Sequence, residues 1–510
     1  MPPTIDSLLR FGYFPKEVPP VFSTASLADY IAANPNFSPV KQPGKKGLIT
    51  RSAKHVIARP GNQRRRLSVP NPLNYLLLTR LIEKDWHTIS THLQESRLSL
   101  SSPVDDPKKL RSQKPSVDGG DLPIHRARVR RSSGFLLRAD ISHFYASVYT
   151  HSIPWALGTK ASAKANRSGG LGNELDRLTR DMQDGQTLGI PTGPDTSLIL
   201  GEIIACAIDR DLQRKRLAGF RFIDDFELSF TTRAAAESAG AYLESVLAEY
   251  ELNLNSRKTG IEQLPAELER PWTSELRTFP LSDHASAPEL VRYFDRVFEL
   301  RNQYPYESVV AYAVVRLRDI EPRKWKLLED LLYQCIIIEP GTFDAVSVLL
   351  EKHQRRKLSR GLDEVVRSVI EKHAPLAHGS EVAWALWTSI WFARRIAKPY
   401  AQLLDGSPDP FVALLTMLAQ RRGLIAQSIQ FPKWKARMNA AALYDEDWLL
   451  AYEADARGWA SPSGKPTYVL TDPNFSKLHR AGVTFLDTKR AGPSKTMKVS
   501  GGVANLRRYG

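Results

Sequence analysis

Apolar residues form two short blocks near the middle of the chain, and each block borders acidic residues. Phe135–Leu137 is a continuous apolar run leading to Asp140, which predicts a buried strand with a carboxylate at its end. In Phe220–Phe230, apolar and polar residues alternate on both sides of Asp224 and Asp225, which predicts a β-hairpin with both acids at its tip. If these strands are neighbours, three carboxylates meet at one edge of a sheet.

Segments before, between and after these strands have apolar residues at helical spacing. It predicts helices over 71–86, from about Ser197 to Leu212, and from about Arg233 to Tyr250. Residues 101–133 are polar and basic, which is typical of a loop or a basic hairpin. Residues 158–185 are rich in Gly, Ser and Asn, and we expect a loop around one helix.

After about residue 285 the pattern changes to amphipathic helices that follow one another with short breaks. Their lengths predict stacked helical pairs, as in a HEAT-like α-solenoid. Because no strict repeat is visible, a generic helical bundle is the alternative. The last 23 residues carry several Lys and Arg and no acid, which predicts a basic tail.

These changes of pattern divide the chain into four regions. We expect an N-terminal region over residues 1–135, a sheet region with the carboxylates over 136–280, an all-α region over 285–460, and a C-terminal segment with the basic tail over 461–510. A chain of 510 residues has room for that number of domains.

Charge and cysteine content narrow the functional classes. The 71 Lys and Arg exceed the 55 Asp and Glu, giving a formal charge of +16 that favours a polyanionic partner such as nucleic acid. A basic surface kept for solubility is the alternative. Only Cys206 and Cys335 are present, which excludes a disulfide framework and a cysteine-based zinc site and fits a reducing cytosol.

Neither a signal peptide nor a membrane span is predicted. The start of the chain lacks a long apolar core after a basic head. The most apolar stretch, Ser197–Ile208, carries Glu202 and is shorter than the ~20 residues that a membrane-spanning helix needs.

The three acids suit two-metal phosphoryl transfer, which needs carboxylates that converge from different strands. Magnesium prefers oxygen ligands and keeps several waters, so two or three Asp suffice when substrate phosphates complete its shell. Manganese is the alternative ion. An Asp-Asp pair is also ordinary turn chemistry, so the pair alone indicates no metal site.

Five segments in order resemble the motifs of reverse transcriptases over roughly residues 55–265. They are RRRLSVPNP, LLRADISHFYAS, QTLGIPTGPDTS, RFIDDFELSF and LNLNSRKTGI. The resemblance implies an α+β right-hand polymerase with fingers within residues 1–135 and a palm over 136–280. It also implies a nucleotidyltransferase that uses dNTPs, an RNA template and two magnesium ions.

The resemblance assigns the metal ligands by motif. Asp140 and Asp224 would bind both metals, with Asp225 as a nearby, weaker ligand. The backbone carbonyl of Ile141 would complete the shell. In the segment RFIDDFELSF, Phe222 stands where the family usually has Tyr.

The resemblance also assigns nucleotide contacts. Arg65, with Arg66, would hold the triphosphate through its guanidinium fork. Tyr145 would be a steric gate that excludes a 2′-hydroxyl, and Lys258 would approach the leaving pyrophosphate, also as a general acid. The structural alternatives are a solvated basic face for Arg65 and Arg66, a core aromatic for Tyr145 and an exposed lysine for Lys258.

A glycine-rich loop would lie under the incoming base. The resemblance gives that role to Gly189, Pro191 and Gly193. Thr192 stands where the family usually has Gln, which leaves the hydrogen bonding at this position open.

A narrower resemblance extends to bacterial abortive-infection and defence-associated reverse transcriptases. It rests on FGYFPKEVPPVFSTASLADYI at the start and on HGSEVAWALW in the helical part, which is similar to the α-repeat region that replaces a thumb. It implies antiphage defence in the bacterial cytoplasm, a homo-oligomer, and DNA synthesis that is untemplated or directed by a non-coding RNA. Some members prime synthesis from a tyrosine, but none of the 17 tyrosines can be singled out.

Other readings stay open. RNA synthesis on RNA is disfavoured by Tyr145, because a bulky gate excludes ribonucleotides. A non-catalytic RNA-binding scaffold would suit the basic surface and the helical array. A retron-like or group II-like reverse transcriptase fits less well with the long helical C-terminal half.

Overall fold

The chain forms two compact units whose segments alternate along the sequence. The computed structural model describes residues 2–41, 47–61, 63–165, 169–353, 358–459, 461 and 463–490. The first unit comprises Met1–Tyr13, Leu27–Ser52 and Ser68–Glu269, and the second comprises Phe14–Ser26, Ala53–Leu67 and the chain from Arg270 onward. The four regions expected from sequence are a different division and stay a prediction. The basic tail beyond residue 490 lies outside the described residues.

Among the described residues the strands form three groups: β1 with β2, the antiparallel pair of β3 and β4, and an antiparallel four-stranded sheet in the order β6-β7-β5-β8. In chain order they are β1 (Ala53–Arg59), β2 (Gln63–Val69), β3 (Pro103–Asp105), β4 (Gln113–Pro115), β5 (Phe135–Asp140), β6 (Gly219–Phe222), β7 (Asp225–Phe230) and β8 (Gly260–Gln263).

Helices make up most of the regular structure. In chain order they are α1 (Ile5–Arg10), α2 (Ala25–Ala33), α3 (Pro72–Lys84), α4 (Trp86–Leu93), α5 (Leu122–Arg130), α6 (Phe144–Ser147), α7 (Ser152–Leu157), α8 (Lys160–Ala165), α9 (Leu171–Asp181), α10 (Thr196–Arg214), α11 (Arg233–Glu249), α12 (Pro271–Thr278), α13 (Ala287–Gln303), α14 (Val309–Arg316), α15 (Trp325–Ile338), α16 (Phe343–Lys352), α17 (Gly361–His373), α18 (Gly379–Trp391), α19 (Lys398–Gln402), α20 (Pro410–Arg421), α21 (Pro432–Arg437), α22 (Trp448–Ala456) and α23 (Phe475–Arg480).

The four-stranded sheet is built on the apolar blocks seen in the sequence. Strand β5 lies between β7 and β8, and Leu137 is paired with Leu228 of β7 and with Ile261 of β8. Helix α11 covers this face, where Ala239 packs against the same leucines. The buried apolar face of the sheet is thus a fixed support for the residues at the ends of β5 and β7.

Two polar regions contain more regular structure than we expected. Residues 101–133 contain the β3–β4 hairpin and also helix α5. The basic residues of α5 are partly internal, because Arg126 and Arg130 both donate to the buried carboxylate of Glu227. Residues 158–185 contain two helices, α8 and α9, where one was predicted.

Local signals in the sequence explain where helices α3 and α11 of the first unit begin. Pro72 occupies the first turn of α3, and the side chain of Asn71 accepts the N–H of Leu73. At the start of α11, the hydroxyl of Thr232 accepts the N–H of Ala235.

The second unit combines helices α12–α23 with the β1–β2 hairpin. Its helices carry buried apolar faces, including the fully buried side chains of Trp387 and Trp448. The hairpin is fixed by polar contacts: Ala58 N–H donates to the hydroxyl of Ser380, and His55 Nδ1 lies 2.7 Å from Asp409 Oδ2. The unit is helical as expected, while the HEAT-like stacking of helical pairs stays a prediction.

The structure can be compared with two expectations, on membrane spans and on cysteines. Within the described ranges, no helix is both long enough and apolar enough to pass through a bilayer. Both cysteines are buried and carry free thiols.

Candidate active site

The register of the sheet brings the three acids together. Asp140 is the last residue of β5 and lies directly opposite Asp225, the first residue of β7. Asp224 precedes it in the two-residue turn between β6 and β7, and its carbonyl accepts the N–H of Ile141 at 3.1 Å. One edge of the sheet therefore carries three carboxylates and the backbone of Ile141.

The carboxylates interact electrostatically. Asp225 is exposed at the turn, yet loss of hydration and the charges of Asp224 and Asp140 raise its pKa to about 7. Asp225 therefore ionises less readily than an isolated aspartate. A cation at this edge would favour its charged form.

Lys258 supplies one positive charge to the cluster. Its Nζ donates to Asp140 Oδ2 at 2.8 Å, and the amide of Asn255 donates to Asp140 Oδ1, also at 2.8 Å. Desolvation lowers the pKa of Lys258, but the hydrogen bond and charge of Asp140, with those of Asp225 and Asp224, outweigh it and raise the pKa overall. The lysine side chain remains 64% exposed.

Backbone hydrogen bonds attach the Lys258 segment to the end of β5. Asn255 N–H donates to the carbonyl of Asp140 at 2.7 Å, and Ser142 N–H donates to the carbonyl of Asn253 at 2.9 Å. Lys258 N–H in turn donates to the carbonyl of Asn255 at 3.0 Å. The position of the ammonium is therefore set by a turn that is bonded to Asp140 itself.

Tyr145 lies on α6, just beyond the end of β5. Its ring packs on Phe144, with 5.2 Å between centroids, and its carbonyl accepts the N–H of Ile190 at 2.8 Å. Gly201 of α10 faces both rings, and a Cβ there would lie 3.1 Å from each. A glycine at this position lets the two rings pack directly against the helix.

The glycine-rich loop is bonded to the same region. Gly189 has φ +83° and donates its N–H to the carbonyl of Val148 at 2.7 Å. The carbonyl of Pro191 accepts the hydroxyl of Ser197, and the carbonyl of Thr192 accepts the N–H of Ser68 at 2.8 Å. The loop is thus held in a defined position beside α6.

An ion pair fixes the far end of this loop. Asp195 is buried, accepts the backbone N–H of Ser112 at 2.7 Å and is paired with Arg111. Arg111 also donates to the carbonyl of Gly193 at 3.2 Å, and Gly193 has φ +131°. The charge and the hydrogen bonds together define the conformation around Gly193.

A buried ion-pair network supports the hairpin. The fully buried Arg221 of β6 donates to Glu202 Oε1 and to Asp209 Oδ2, each at 2.7 Å. It also donates to the carbonyl of Ile223 at 2.8 Å, while Ile223 N–H donates to the hydroxyl of Ser101 at 2.8 Å. These bonds hold Ile223 at φ +60°, which β-branched residues rarely adopt. The network therefore fixes the turn that carries the paired acids.

Sequence reasoning missed this support, although a signal was available. Glu202 interrupts the apolar stretch Ser197–Ile208, and Arg221 lies between two phenylalanines of a buried strand. Charged residues at such positions are rarely buried without a partner of opposite charge. An ion pair between Glu202 and Arg221 could therefore have been predicted from the sequence.

The predicted triphosphate-binding arginines belong to the other unit. Arg65 and Arg66 are exposed on β2, within the part of the chain assigned to the second unit. Arg64 is half-buried and is paired with Glu381 of α18. The triphosphate contact of Arg65 and Arg66 stays a prediction.

Comparison with known proteins gives distant structural neighbours. No protein family and no curated protein matches the chain. Similar solved structures are an apo telomerase of Candida tropicalis truncated from its C-terminal domain (12% identity, 47% of this chain and 54% of that one, TM-score 0.30), the apo telomerase of Candida tropicalis (10%, 79% and 71%, 0.32), and the telomerase of Candida albicans with a fragment of telomeric RNA (12%, 76% and 64%, 0.29). The chain spans about half of the first of these.

Proposed function

We propose that the chain is a reverse-transcriptase-type nucleotidyltransferase that depends on a divalent metal. The observation that carries the proposal is the pairing of Asp140 with Asp225 at a sheet edge that also holds Asp224. Neighbouring carboxylates from two strands are the arrangement that two-metal phosphoryl transfer requires. The ordered motifs around these acids resemble those of reverse transcriptases, which favours DNA synthesis as the reaction.

The residues at this edge fit magnesium, or manganese in its place. The donors are carboxylate oxygens and, in the proposal, the carbonyl of Ile141, which are the ligands that hard divalent cations prefer. The raised pKa of Asp225 and the ammonium of Lys258 on Asp140 both indicate that the cluster needs positive charge. The bound ions would supply charge stabilisation for phosphoryl transfer.

The neighbouring residues have roles in substrate binding under this proposal. Tyr145 would press against the sugar and exclude a 2′-hydroxyl, while Gly189, Pro191 and Gly193 would shape the floor under the base. Lys258, anchored by its backbone and largely exposed along its side chain, would exchange Asp140 for a phosphate oxygen. Arg65 and Arg66 would bind the triphosphate.

The finer parts of the proposal rest on sequence resemblance. They are a fingers and palm followed by a HEAT-like array in place of a thumb, RNA-directed or untemplated synthesis with a non-coding RNA partner, protein priming, a homo-oligomer, and antiphage defence in the bacterial cytoplasm. Each is separable from the polymerase chemistry.

Nucleotide incorporation by an acid-to-alanine variant tests the chemistry. The full-length protein, purified with any bound nucleic acid, is given magnesium and labelled dNTPs. Asp224→Ala should lower incorporation by about 1,000-fold or more, because losing several kcal/mol of metal-mediated stabilisation has that effect on rate. Glu237→Gln, an exposed acid on α11, is the matched control and should retain activity.

The same assay distinguishes the rival functions. Incorporation that is unchanged in Asp224→Ala, with its circular dichroism spectrum intact, would remove the catalytic assignment. An inactive wild type that still holds nucleic acid would favour the scaffold. Label that remains attached to the protein would indicate tyrosine priming, and copies of a co-purified RNA would indicate templated synthesis.

A further inference from the structure

Three potential metal ligands converge in the second unit, at the junction of α17 and α18. His373 is the last residue of α17, His378 directly precedes α18, and Glu381 is in the first turn of α18. Their Nδ1, Nδ1 and Oε1 atoms are separated by 2.8 Å between the histidines, and by 3.4 and 3.8 Å from His373 and His378 to Glu381.

These separations are close to the edges of a small tetrahedral site. Zinc with ligands at about 2.0–2.1 Å places neighbouring ligand atoms roughly 3.3–3.4 Å apart, and the separations of 2.8, 3.4 and 3.8 Å lie below, within and above that range. The 2.8 Å contact is a hydrogen bond between the two imidazoles, which a bound metal would replace. Two imidazole nitrogens with one carboxylate oxygen form a set that zinc binds, leaving a fourth position open. Calcium and magnesium prefer oxygen ligands, so this site does not suit them.

The surroundings orient the ligands. Glu381 has no exposed side-chain surface, and its second oxygen, Oε2, accepts the hydroxyl of Ser380 at 2.8 Å. That bond leaves Oε1 directed at the two imidazoles. Hydrogen bonds of this kind hold metal ligands in orientation. The side chain of His378 is 20% exposed, so the cluster has an open side.

Arg64 of β2 occupies that open side. One guanidinium nitrogen, Nη1, is paired with Glu381, and Nη2 lies 2.9 Å from His378 Nδ1. A buried carboxylate needs a partner of positive charge, and Arg64 provides it. The Arg64 side chain is itself 26% exposed and precedes the two exposed residues Arg65 and Arg66, so it has a path to solvent.

We propose that His373, His378 and Glu381 form a zinc-type site, and that Arg64 is the cation that occupies it when no metal is bound. The guanidinium and the metal would use the same Oε1 and Nδ1 atoms. Two positive charges about 4 Å apart also repel each other. Metal binding and docking of Arg64 are therefore mutually exclusive.

Metal titration of the full-length protein tests the proposal. Zn²⁺ affinity is measured by competition with a chromophoric chelator, and Co²⁺ replaces Zn²⁺ to give the visible absorption of a tetrahedral site. His378→Ala should lose one bound ion and the Co²⁺ absorption. Arg64→Gln should bind Zn²⁺ at least about tenfold more tightly than wild type, because a charge-assisted competitor is removed. Arg64→Lys keeps the positive charge but lacks the guanidinium fork, so its Zn²⁺ affinity should lie between those of wild type and Arg64→Gln.

Controls separate this site from the carboxylates of the sheet. Asp224→Ala should leave both the Zn²⁺ stoichiometry and the Co²⁺ spectrum unchanged, whatever its effect on nucleotide incorporation. Equal Zn²⁺ binding by wild type and His378→Ala would overturn the metal site. Weaker binding by Arg64→Gln or Arg64→Lys than by wild type would overturn the competition.

Discussion

At the scale of single residues, contact with Lys258 balances the charge of Asp140. The ammonium is 2.8 Å from the carboxylate, while most of the lysine side chain is exposed to solvent. An exposed lysine with a fixed backbone can change partners at little cost. Lys258 can therefore neutralise the cluster in one state and contact a phosphate in another.

Tyr145 provides a test of sugar selection. Its backbone is bonded to the glycine-rich loop and its ring packs on Phe144 and Gly201, so its position is fixed from two sides. Tyr145→Ala should lower the ratio of dNTP to NTP incorporation by about tenfold or more. A pocket that excludes one small substituent, here the 2′-hydroxyl, discriminates between substrates by about 1–3 kcal/mol.

Tyr145→Phe is the matched control for that measurement. It keeps the ring and removes only the hydroxyl, so the preference for dNTPs should persist. A wild type that prefers ribonucleotides, or a ratio that Tyr145→Ala leaves unchanged, would contradict the assignment of a steric gate.

At the scale of elements, the β6–β7 hairpin depends on helix α10 for its conformation. Strand β6 contributes Arg221, and α10 contributes both carboxylates that neutralise it, Glu202 and Asp209. The strained turn at Ile223 persists because this network over-determines it. The position of the acids at the edge of the sheet therefore depends on the buried contact between β6 and α10.

Removing Arg221 should destabilise the first unit strongly. Arg221→Met leaves two buried carboxylates without a cation, and breaking a buried pair in this way costs about 3–5 kcal/mol. Urea unfolding followed by circular dichroism measures the loss. Arg233→Met, on the exposed face of α11, should change stability by less than about 0.5 kcal/mol and serves as the control. Similar values for both variants would show that the network adds nothing to stability.

Local pattern predicted the elements around the acids but not their supports. The apolar run at Phe135–Leu137 and the alternation around Asp224 correspond to β5 and to the β6–β7 hairpin. Arg221 was missed because a charged residue in a strand is usually read as exposed. Residues 158–185 contain the two helices α8 and α9 where one was predicted, because their glycine and serine content suggested mainly a loop.

Local pattern could not predict that the β1–β2 hairpin belongs to the second unit. The β1–β2 hairpin has the local pattern of any short hairpin, and nothing within Ala53–Leu67 indicates that it belongs with helices that come hundreds of residues later. Such long-range packing depends on the shape of surfaces that neither segment encodes by itself.

At the scale of the whole molecule, the count of 71 Lys and Arg overstates the number of cationic side chains available to phosphates. Several arginines are committed to internal carboxylates, among them Arg111, Arg130 and Arg221. The exposed arginines of β2, Arg65 and Arg66, are better candidates for contact with phosphates.

Salt dependence measures that contact. The affinity of the full-length protein for single-stranded RNA should fall linearly in a plot of log affinity against log salt concentration. Replacing both Arg65 and Arg66 with Ala should reduce the slope by about 1.4, since each single-strand phosphate contact contributes about 0.7. Arg296→Gln, whose guanidinium is already paired with two acids, should leave the slope unchanged. Equal slopes for wild type and the double variant would place these arginines away from nucleic acid.

The alternation of the two units along the chain has a consequence for synthesis on the ribosome. Residues Ala53–Leu67 belong to the second unit, but the helix that receives them, α18, begins only at Gly379. At about 5–20 residues per second, the hairpin waits roughly 15–60 s for that helix to be translated. During that interval its edges are unpaired, which makes the nascent chain a client for chaperones before the second unit can close.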